Sequence, residues 1–337
     1  MIARAFHAWE RRLASVDQNR VVRSFAWGFD WLGLDTAAAD PAGAMAAYAS
    51  GVMASTDAFY SAPRLSAFDR HGDQLEFESA VRTANAENNR VVLRVFPARE
   101  RSRDQPKRAV IVLPQWNADA GGHVGLCQGL AYFGITSLRL VLPYHEQRRP
   151  PDLERADYIV SSNIGQTLAT NRQAVLDAKR AVDWLEDQGY ERIGIIGTSL
   201  GSCLSMLTMS HDTRIRAGAF NHISPYFADV VWRGLSTRHV RAGLDGHVSL
   251  EALRDYWMPI SPWPFIDRVK TRKILLIYAR YDLTFPVDLS RMFVQEFDRC
   301  GVPHQTAVLP CGHYTTGRTP FKFVDGYHLT KFLVTAL

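Results

Sequence analysis

The chain has 337 residues, of which 47% are hydrophobic and 22% charged, with a formal net charge of +5. That length and mix suit one large globular domain with an insertion, or two domains, and a core of that size needs no disulfide or metal staples. The balance argues against a nucleic-acid binder, because the densest basic clusters, Arg99 to Arg108 and Arg148-Arg149, hold few aromatic residues and read as solvated loops.

Residues 1–64 read as an N-terminal helical extension. Ile2, Phe6, Trp9, Leu13 and Val16 recur at helical steps and share one face. Val21, Phe25, Phe29 and Leu32 continue a similar stripe, and Asp40-Pro41 restarts the chain into an Ala-rich segment. These helices are expected to dock on the main body or on a second subunit. The alternative is peripheral membrane contact through residues 1–35, since Arg4, Arg11, Arg12 and Arg20 flank the apolar residues. Arg4, Glu10, Arg11 and Arg12 also deny the start the apolar core of a secretory leader, and no window reaches the roughly 18 apolar residues of a spanning helix. Cys127, Cys203, Cys300 and Cys311 form no C-x-x-C pair. The expectation is a cytoplasmic protein with reduced thiols.

Residues 65–337 alternate strands with helices. Segments 75–79 and 90–96 read as an antiparallel pair, and 109–113 (AVIVL) as a short buried strand. Gly121-Gly122 precede a helix to about Phe133, and 135–142 is the next strand. A Pro-rich, charged loop follows, then a long helix over about 166–188 that places Leu168, Val175, Ala178, Val182 and Leu185 on its apolar face. Strands are predicted at 192–196, 217–220, 273–278 and 306–309, with helices after Ser199 and over 287–300. Thr319-Pro320 predicts a last helix with Thr319 as N-cap and Pro320 at its first position. Segment 221–270, with Trp232, Trp257 and Trp263 in no clean period, reads as a cap inserted over the carboxyl ends of the strands. Its tryptophans are expected mainly to pack, although an aromatic wall would suit an acyl chain. The whole pattern predicts a mostly parallel sheet covered by helices on both faces.

Gly197-Thr198-Ser199-Leu200-Gly201 matches G-x-S-x-G between a buried strand and an apolar-faced helix. The chemistry needs that turn. It lifts the hydroxyl clear of the sheet in a strained conformation that bulky neighbours would obstruct, and it puts the Leu200 N–H at a helix N-terminus, where an oxyanion is stabilised. A serine hydroxyl also needs a base, and the base an orienting carboxylate. Asp282 follows the 273–278 strand and His313 follows the last strand, both at the sheet edge where ligands bind in open α/β folds. Asp267 and Asp288 are the fallback carboxylates, and His304 and His328 the fallback bases. His123, His145 and His222 sit at other strand ends as candidates for pocket lining, or for a metal cluster that no H-x-x-x-H or H-E-x-x-H spacing supports.

The set GTSLG, YARYDLTFP and CGH resembles the α/β-hydrolase superfamily over about residues 70–337. The dienelactone-hydrolase-like and lipase/esterase-like branches are the most similar. The N-terminal segment, LPQWN and the Pro-rich loop after Leu142 are similar to α/β-hydrolase-domain proteins that act on membrane lipids. The resemblance implies an α/β-hydrolase fold with an N-terminal extension and a small cap. It implies catalysis without cofactor or metal by Ser199, His313 and Asp282, acting on a small-molecule ester or acyl lipid. Many relatives carry His-Gly after the third strand. Here Leu113-Pro114-Gln115-Trp116-Asn117 stands instead, so Trp116 N–H, with Gln115 as the alternative, joins Leu200 N–H as the expected oxyanion donor. The rival expectations are a non-catalytic scaffold that binds a partner or small molecule, and the same triad serving peptide, thioester or lactone bonds.

Overall fold

A computed structural model describes residues 1–17, 19–99 and 105–337. The middle of the basic cluster Arg99 to Arg108 therefore lies outside the described residues. Short runs rich in Val, Ile and Leu build one sheet. Its strands are β1 Asp69–His71, β2 Gln74–Glu78, β3 Arg90–Phe96, β4 Arg108–Leu113, β5 Thr136–Leu140, β6 Arg192–Thr198, β7 Ile215–Asn221, β8 Lys273–Ala279 and β9 Gln305–Leu309. The spatial order is β1-β2-β3-β5-β4-β6-β7-β8-β9. The first three strands run antiparallel to their neighbours, and β5, β4 and β6 to β9 are parallel. Leu113 pairs with Gly197, and Thr198 with Asn221, so the carboxyl ends of the central strands lie level.

Period-two alternation sends side chains to two cores. On β4, Ile111 and Leu113 face helices Ile164–Asp187 and Leu200–Ser210. Val110 and Val112 face the other way, toward helices Val124–Tyr132 and Phe321–Ala336. The long helix starts at the Asn163 cap, whose side chain accepts from Gln166 N–H.

Several elements differ from the sequence reading. Helix Ile2–Ala14 forms, but its apolar stripe docks only in part: Phe6 packs against Tyr281 and Phe321 and Leu13 is half-buried, Ile2, Trp9 and Val16 are exposed, and Glu10 beside the stripe is fully buried. Residues 21–28 form no helix. Their backbone is paired at the start of the long helix: Ala26 N–H donates to Ser162 O, and Ala26 O and Trp27 O accept from Ile164 and Gly165. That pairing overrides the helical spacing of Val21 and Phe25. Gly165 permits the approach, since a Cβ there would lie 2.1 Å from Gly28 O. The Thr319-Pro320 bond is cis and the last helix begins at Phe321, which puts Pro320 at the N-cap and leaves Thr319 no capping bond.

Segment 221–270 contains helices Phe227–Arg233, Arg238–Leu244 and Leu250–Tyr256, followed by 3₁₀ turns Met258–Ile260 and Trp263–Val269. Trp257 is fully buried, and its Nε1–H donates to Ile164 O at 3.2 Å. Among the described residues no helix is long and apolar enough to cross a membrane.

Arg148, read above as a solvated loop residue, is completely buried. Its guanidinium pairs with Asp177 on the long helix at 2.8 Å and donates to Val141 O and Asn88 O. Ser79 donates to the other Asp177 oxygen at 2.7 Å. This network ties the antiparallel edge to the helical layer. Arg148→Ala leaves a buried carboxylate without its counter-charge, and urea unfolding should show a loss of about 3–5 kcal/mol.

Candidate active site

The G-x-S-x-G segment joins β6 to helix Leu200–Ser210 through a turn too tight for a side chain at its two glycines. Ser199 has φ 58° and ψ −120°, a strained left-sided conformation. It is held by its N–H donating to Asn221 O at 2.8 Å, and by Ser202 Oγ–H donating to its carbonyl at 2.6 Å. Both flanking glycines are sterically required. A Cβ on Gly197 would lie 1.9 Å from Gly201 O, and one on Gly201 would lie 2.1 Å from Leu113 O. The helix start is thus pressed against the end of β4.

The structure brings Ser199, His313 and Asp282 into a hydrogen-bonded chain. Ser199 Oγ lies 3.0 Å from His313 Nε2, and His313 Nδ1 lies 2.9 Å from Asp282 Oδ2. The other Asp282 oxygen accepts from Thr284 N–H at 2.8 Å and Phe285 N–H at 2.7 Å. The Phe285 ring stacks on the His313 imidazole, with centroids 5.2 Å apart. One residue therefore braces both the carboxylate and the imidazole.

A fourth residue enters from the end of β7. His222 Nδ1 lies 2.8 Å from Asp282 Oδ2, the same oxygen that His313 uses. His222 lines the cleft, and its Nε2 has no partner among the described residues. Burial disfavours the Asp282 charge, but the His313 charge and the hydrogen bonds from the two imidazoles outweigh it. The carboxyl is held well below its usual range. An ionised carboxylate only accepts, so both Nδ1 atoms carry the proton, and His313 Nε2 is the lone pair facing Ser199. The two histidines then diverge. Burial and the neighbouring His313 push His222 down. For His313, burial is overcome by the Asp282 charge and hydrogen bond and by Glu10, and its pKa is raised.

The β4 loop takes its shape from Asn117 rather than from a glycine. Asn117 adopts φ 56°, and asparagine tolerates that region. Its N–H donates to His145 Nε2 at 2.9 Å, and its side-chain oxygen accepts from Ala156 N–H. His145 Nδ1–H donates in turn to Pro143 O, and burial pushes this imidazole down to about 4, so it stays a neutral acceptor. His145 is therefore a loop holder rather than a ligand. Asn117 N–H is occupied, while Gln115 and Trp116 N–H have no acceptor among the described residues. Gln115, Trp116 and Ser199 line one cleft of about 1140 Å³. Leu200 N–H opens its helix, where amides have no helical acceptor.

The fallback carboxylates and bases sit elsewhere, whereas His123, His145 and His222 all line the cleft. Asp288 pairs with Arg233 and Asp267 with Lys270. His304 bonds Val302 O, and His328 stacks edge-on with Tyr327 on the last helix. His123 Nε2 bonds Thr198 Oγ1 at 2.9 Å, and burial pushes it down to about 4. His123, His145 and His222 do not assemble. Among the described residues the one metal-ligand-like grouping is His222, Asp282 and His313, and its carboxylate already receives four donors. Burial pushes the Cys203 and Cys311 thiols up to about 12. Of the cap, Ser236 reaches the cleft, and Trp232, Trp257 and Trp263 do not. Asp325, which the sequence did not single out, lines the cleft and accepts from Asn221 Nδ2; burial pushes it up to about 7.

Solved structures share this architecture. An acylaminoacyl peptidase of Pyrococcus horikoshii superposes with a TM-score of 0.63 at 16% identity, over 81% of this chain and 42% of that one. An esterase of Pyrococcus furiosus superposes with a TM-score of 0.55 at 17% identity, over 82% of this chain and 97% of that one. A puromycin-hydrolyzing peptidase of Mycobacterium tuberculosis gives 0.58 at 16%, over 74% of this chain and 37% of that one. This chain thus spans less than half of either peptidase. No protein-family model and no curated protein matches the sequence. The chain has the α/β-hydrolase fold.

Because Asp282 serves both rings, their titrations must separate. Histidine NMR should place the His313 midpoint above the ordinary value of about 6.5 and the His222 midpoint below it. A reversed order would overturn the assignment of the proton to His313.

Proposed function

We propose that this chain is a serine hydrolase that cleaves carboxylic esters through an acyl-enzyme. The observation that carries the reading is the continuous relay of 3.0 and 2.9 Å from Ser199 through His313 to Asp282. Ser199 Oγ attacks the ester carbonyl while His313 Nε2 takes its proton. The imidazolium, stabilised by Asp282, then protonates the departing alcohol. A water deprotonated by His313 attacks the acyl-enzyme and releases the acid and Ser199. Leu200 and Trp116 N–H are the proposed donors to the oxyanion in both halves. An acyl group fits the mixed cleft beside Trp116, Leu126 and Leu329. The solved neighbours include an esterase and peptidases, so an amide panel is the natural control.

Ser199→Ala should abolish labelling by a fluorophosphonate probe and lower p-nitrophenyl ester turnover by roughly 10³ to 10⁶. Labelling that persists at another residue, or a wild-type chain inert to probe, esters and amides alike, would favour a binding scaffold.

The exposed apolar residues support a membrane-lipid version of this substrate. Ile2 and Trp9, one heptad apart on a helix that also exposes Arg4, Arg11 and Arg12, are followed by exposed Val16, Val21 and Val22. Such a basic amphipathic surface suits an anionic bilayer. The full chain should pellet with anionic liposomes more than with neutral ones. Ile2→Asp, Trp9→Asp and Val16→Asp together should reduce that binding at least several-fold; unchanged pelleting removes the lipid version.

A further inference from the structure

Glu10 is the one carboxylate of helix Ile2–Ala14, and it is fully buried. Its partners all come from the loop that carries His313. Oε2 accepts from Tyr314 N–H at 3.0 Å, and Oε1 from Thr315 N–H and Thr315 Oγ–H, each at 2.9 Å. Three donors on two oxygens are the partner set of an ionised carboxylate. The loop is closed around it. Thr315 Oγ1 also accepts from Gly312 N–H at 2.7 Å, and Gly312 O accepts from Thr316 at 2.8 Å. Gly312 has no room for a side chain, because its Cβ would lie 2.4 Å from Glu10 Cδ. His313 is thus flanked on both sides by residues that contact one carboxylate. The same helix reaches the second strand end as well. Phe6 stacks on Tyr281, the residue before Asp282, with centroids 4.7 Å apart and planes within 12°.

We propose that Glu10 is a positioning residue for His313, so that the N-terminal helix is part of the working site and not an appendage. This inference rests on the hydrolase reading above. The physical argument is one of rotational freedom. A loop imidazole must hold its Nε2 lone pair on Ser199 Oγ to within a few tenths of an ångström for proton transfer to compete. The side chain of Asp282 restrains only the Nδ1 edge. The loop needs its own anchor, and Glu10 accepts two backbone hydrogen bonds and one from the Thr315 hydroxyl in a site closed to water. The groups facing the imidazole are Asp282 and His222 at Nδ1, Ser199 at Nε2, Phe285 on its face and Tyr314 beside it, whose hydroxyl accepts from Arg20. In that company the Glu10 charge also favours the imidazolium.

The test uses the full chain, with kcat, KM and fluorophosphonate labelling rate measured against pH beside urea unfolding. Glu10→Gln keeps the volume but loses the charge and half the acceptors. It should lower kcat roughly 10- to 100-fold with KM changed less than about threefold. It should also move the acid limb of kcat/KM down, by about half a unit or more. The sign follows from the charge: without Glu10 the imidazolium is less favoured, so His313 becomes a free base at lower pH. A folded Glu10→Gln variant with unaltered kcat and acid limb overturns the proposal, as does a loss of stability alone. If that variant does not fold, Gly312→Ala tests the same contact from the loop side. Gly312→Ala should cut kcat by a similar factor in the wild-type background, and by much less in Glu10→Ala, where its Cβ has space. Losses that simply multiply overturn the proposal. A wild-type chain that no probe labels overturns the hydrolase reading, whereas a labelled wild type with an indifferent Glu10 overturns this inference alone.

Discussion

The site depends on one buried carboxylate having every lone pair engaged. Asp282 is almost inaccessible to solvent, and an unpaired charge there would be prohibitively costly. Four donors keep it ionised: two backbone amides on one oxygen and two imidazoles on the other. That arrangement fixes the tautomer of each histidine without further help, because an acceptor-only group leaves each ring a single choice at Nδ1. It also makes the rings compete. Both contact the same oxygen and lie 4.5 Å apart between centroids, so a proton on one disfavours a proton on the other. The deeper ring stays neutral, and the shallower one, beside Ser199, takes the charge.

Backbone packing sets the distances that this electrostatics requires. The Gly197 and Gly201 positions let the elbow close on itself and on Leu113, which holds Ser199 level with the end of β4. From that same strand end, Pro114 to Asn117 turn over the cleft. Their path is held by a neutral His145 that can only accept at Nε2. A charged histidine there would lose the Asn117 bond, so the burial that depresses its pKa to about 4 is a requirement of the loop's shape. Gln115 and Trp116, whose amides have no acceptor among the described residues, line one cavity with Ser199.

Local pattern carried much of this. Short apolar runs marked the parallel strands, their alternation with helices implied a mostly parallel sheet, and the resemblance carried by GTSLG, YARYDLTFP and CGH implied the α/β-hydrolase fold. Ser199 stood in a motif whose steric logic is local. Asp282 and His313 were visible because a carboxylate and an imidazole closing successive strands share one sheet edge. What escaped was long-range pairing. Arg148 looked like a loop cation because nothing in its neighbourhood names Asp177 as its partner. Residues 21–28 carried helical spacing but exchange backbone bonds with Ser162, Ile164 and Gly165 instead. His222 was visible as a strand-end histidine, yet its sharing of Asp282 with His313 is a property of three strands seen together.

The N-terminal helix shows the same point in its sharpest form. Its hydrophobic spacing pointed to the face of Ile2, Phe6, Trp9, Leu13 and Val16, of which Phe6 docks and Ile2, Trp9 and Val16 are in solvent. The docked face is centred on a charge. A buried charge is physically sound here because the site Glu10 enters is polar: three loop donors would be orphaned there if an apolar residue took its place, and each orphan costs more than a buried methyl gains. A hydrophobic residue could fill the volume but could not organise the loop, since dispersion has no direction and a carboxylate does. The helix therefore binds the body through direction at Glu10 as well as through the packing of Phe6 on Tyr281 and Phe321. Ile2, Trp9 and Val16 are left in solvent, and the geometry of His313 is tied to a segment some 300 residues away along the chain.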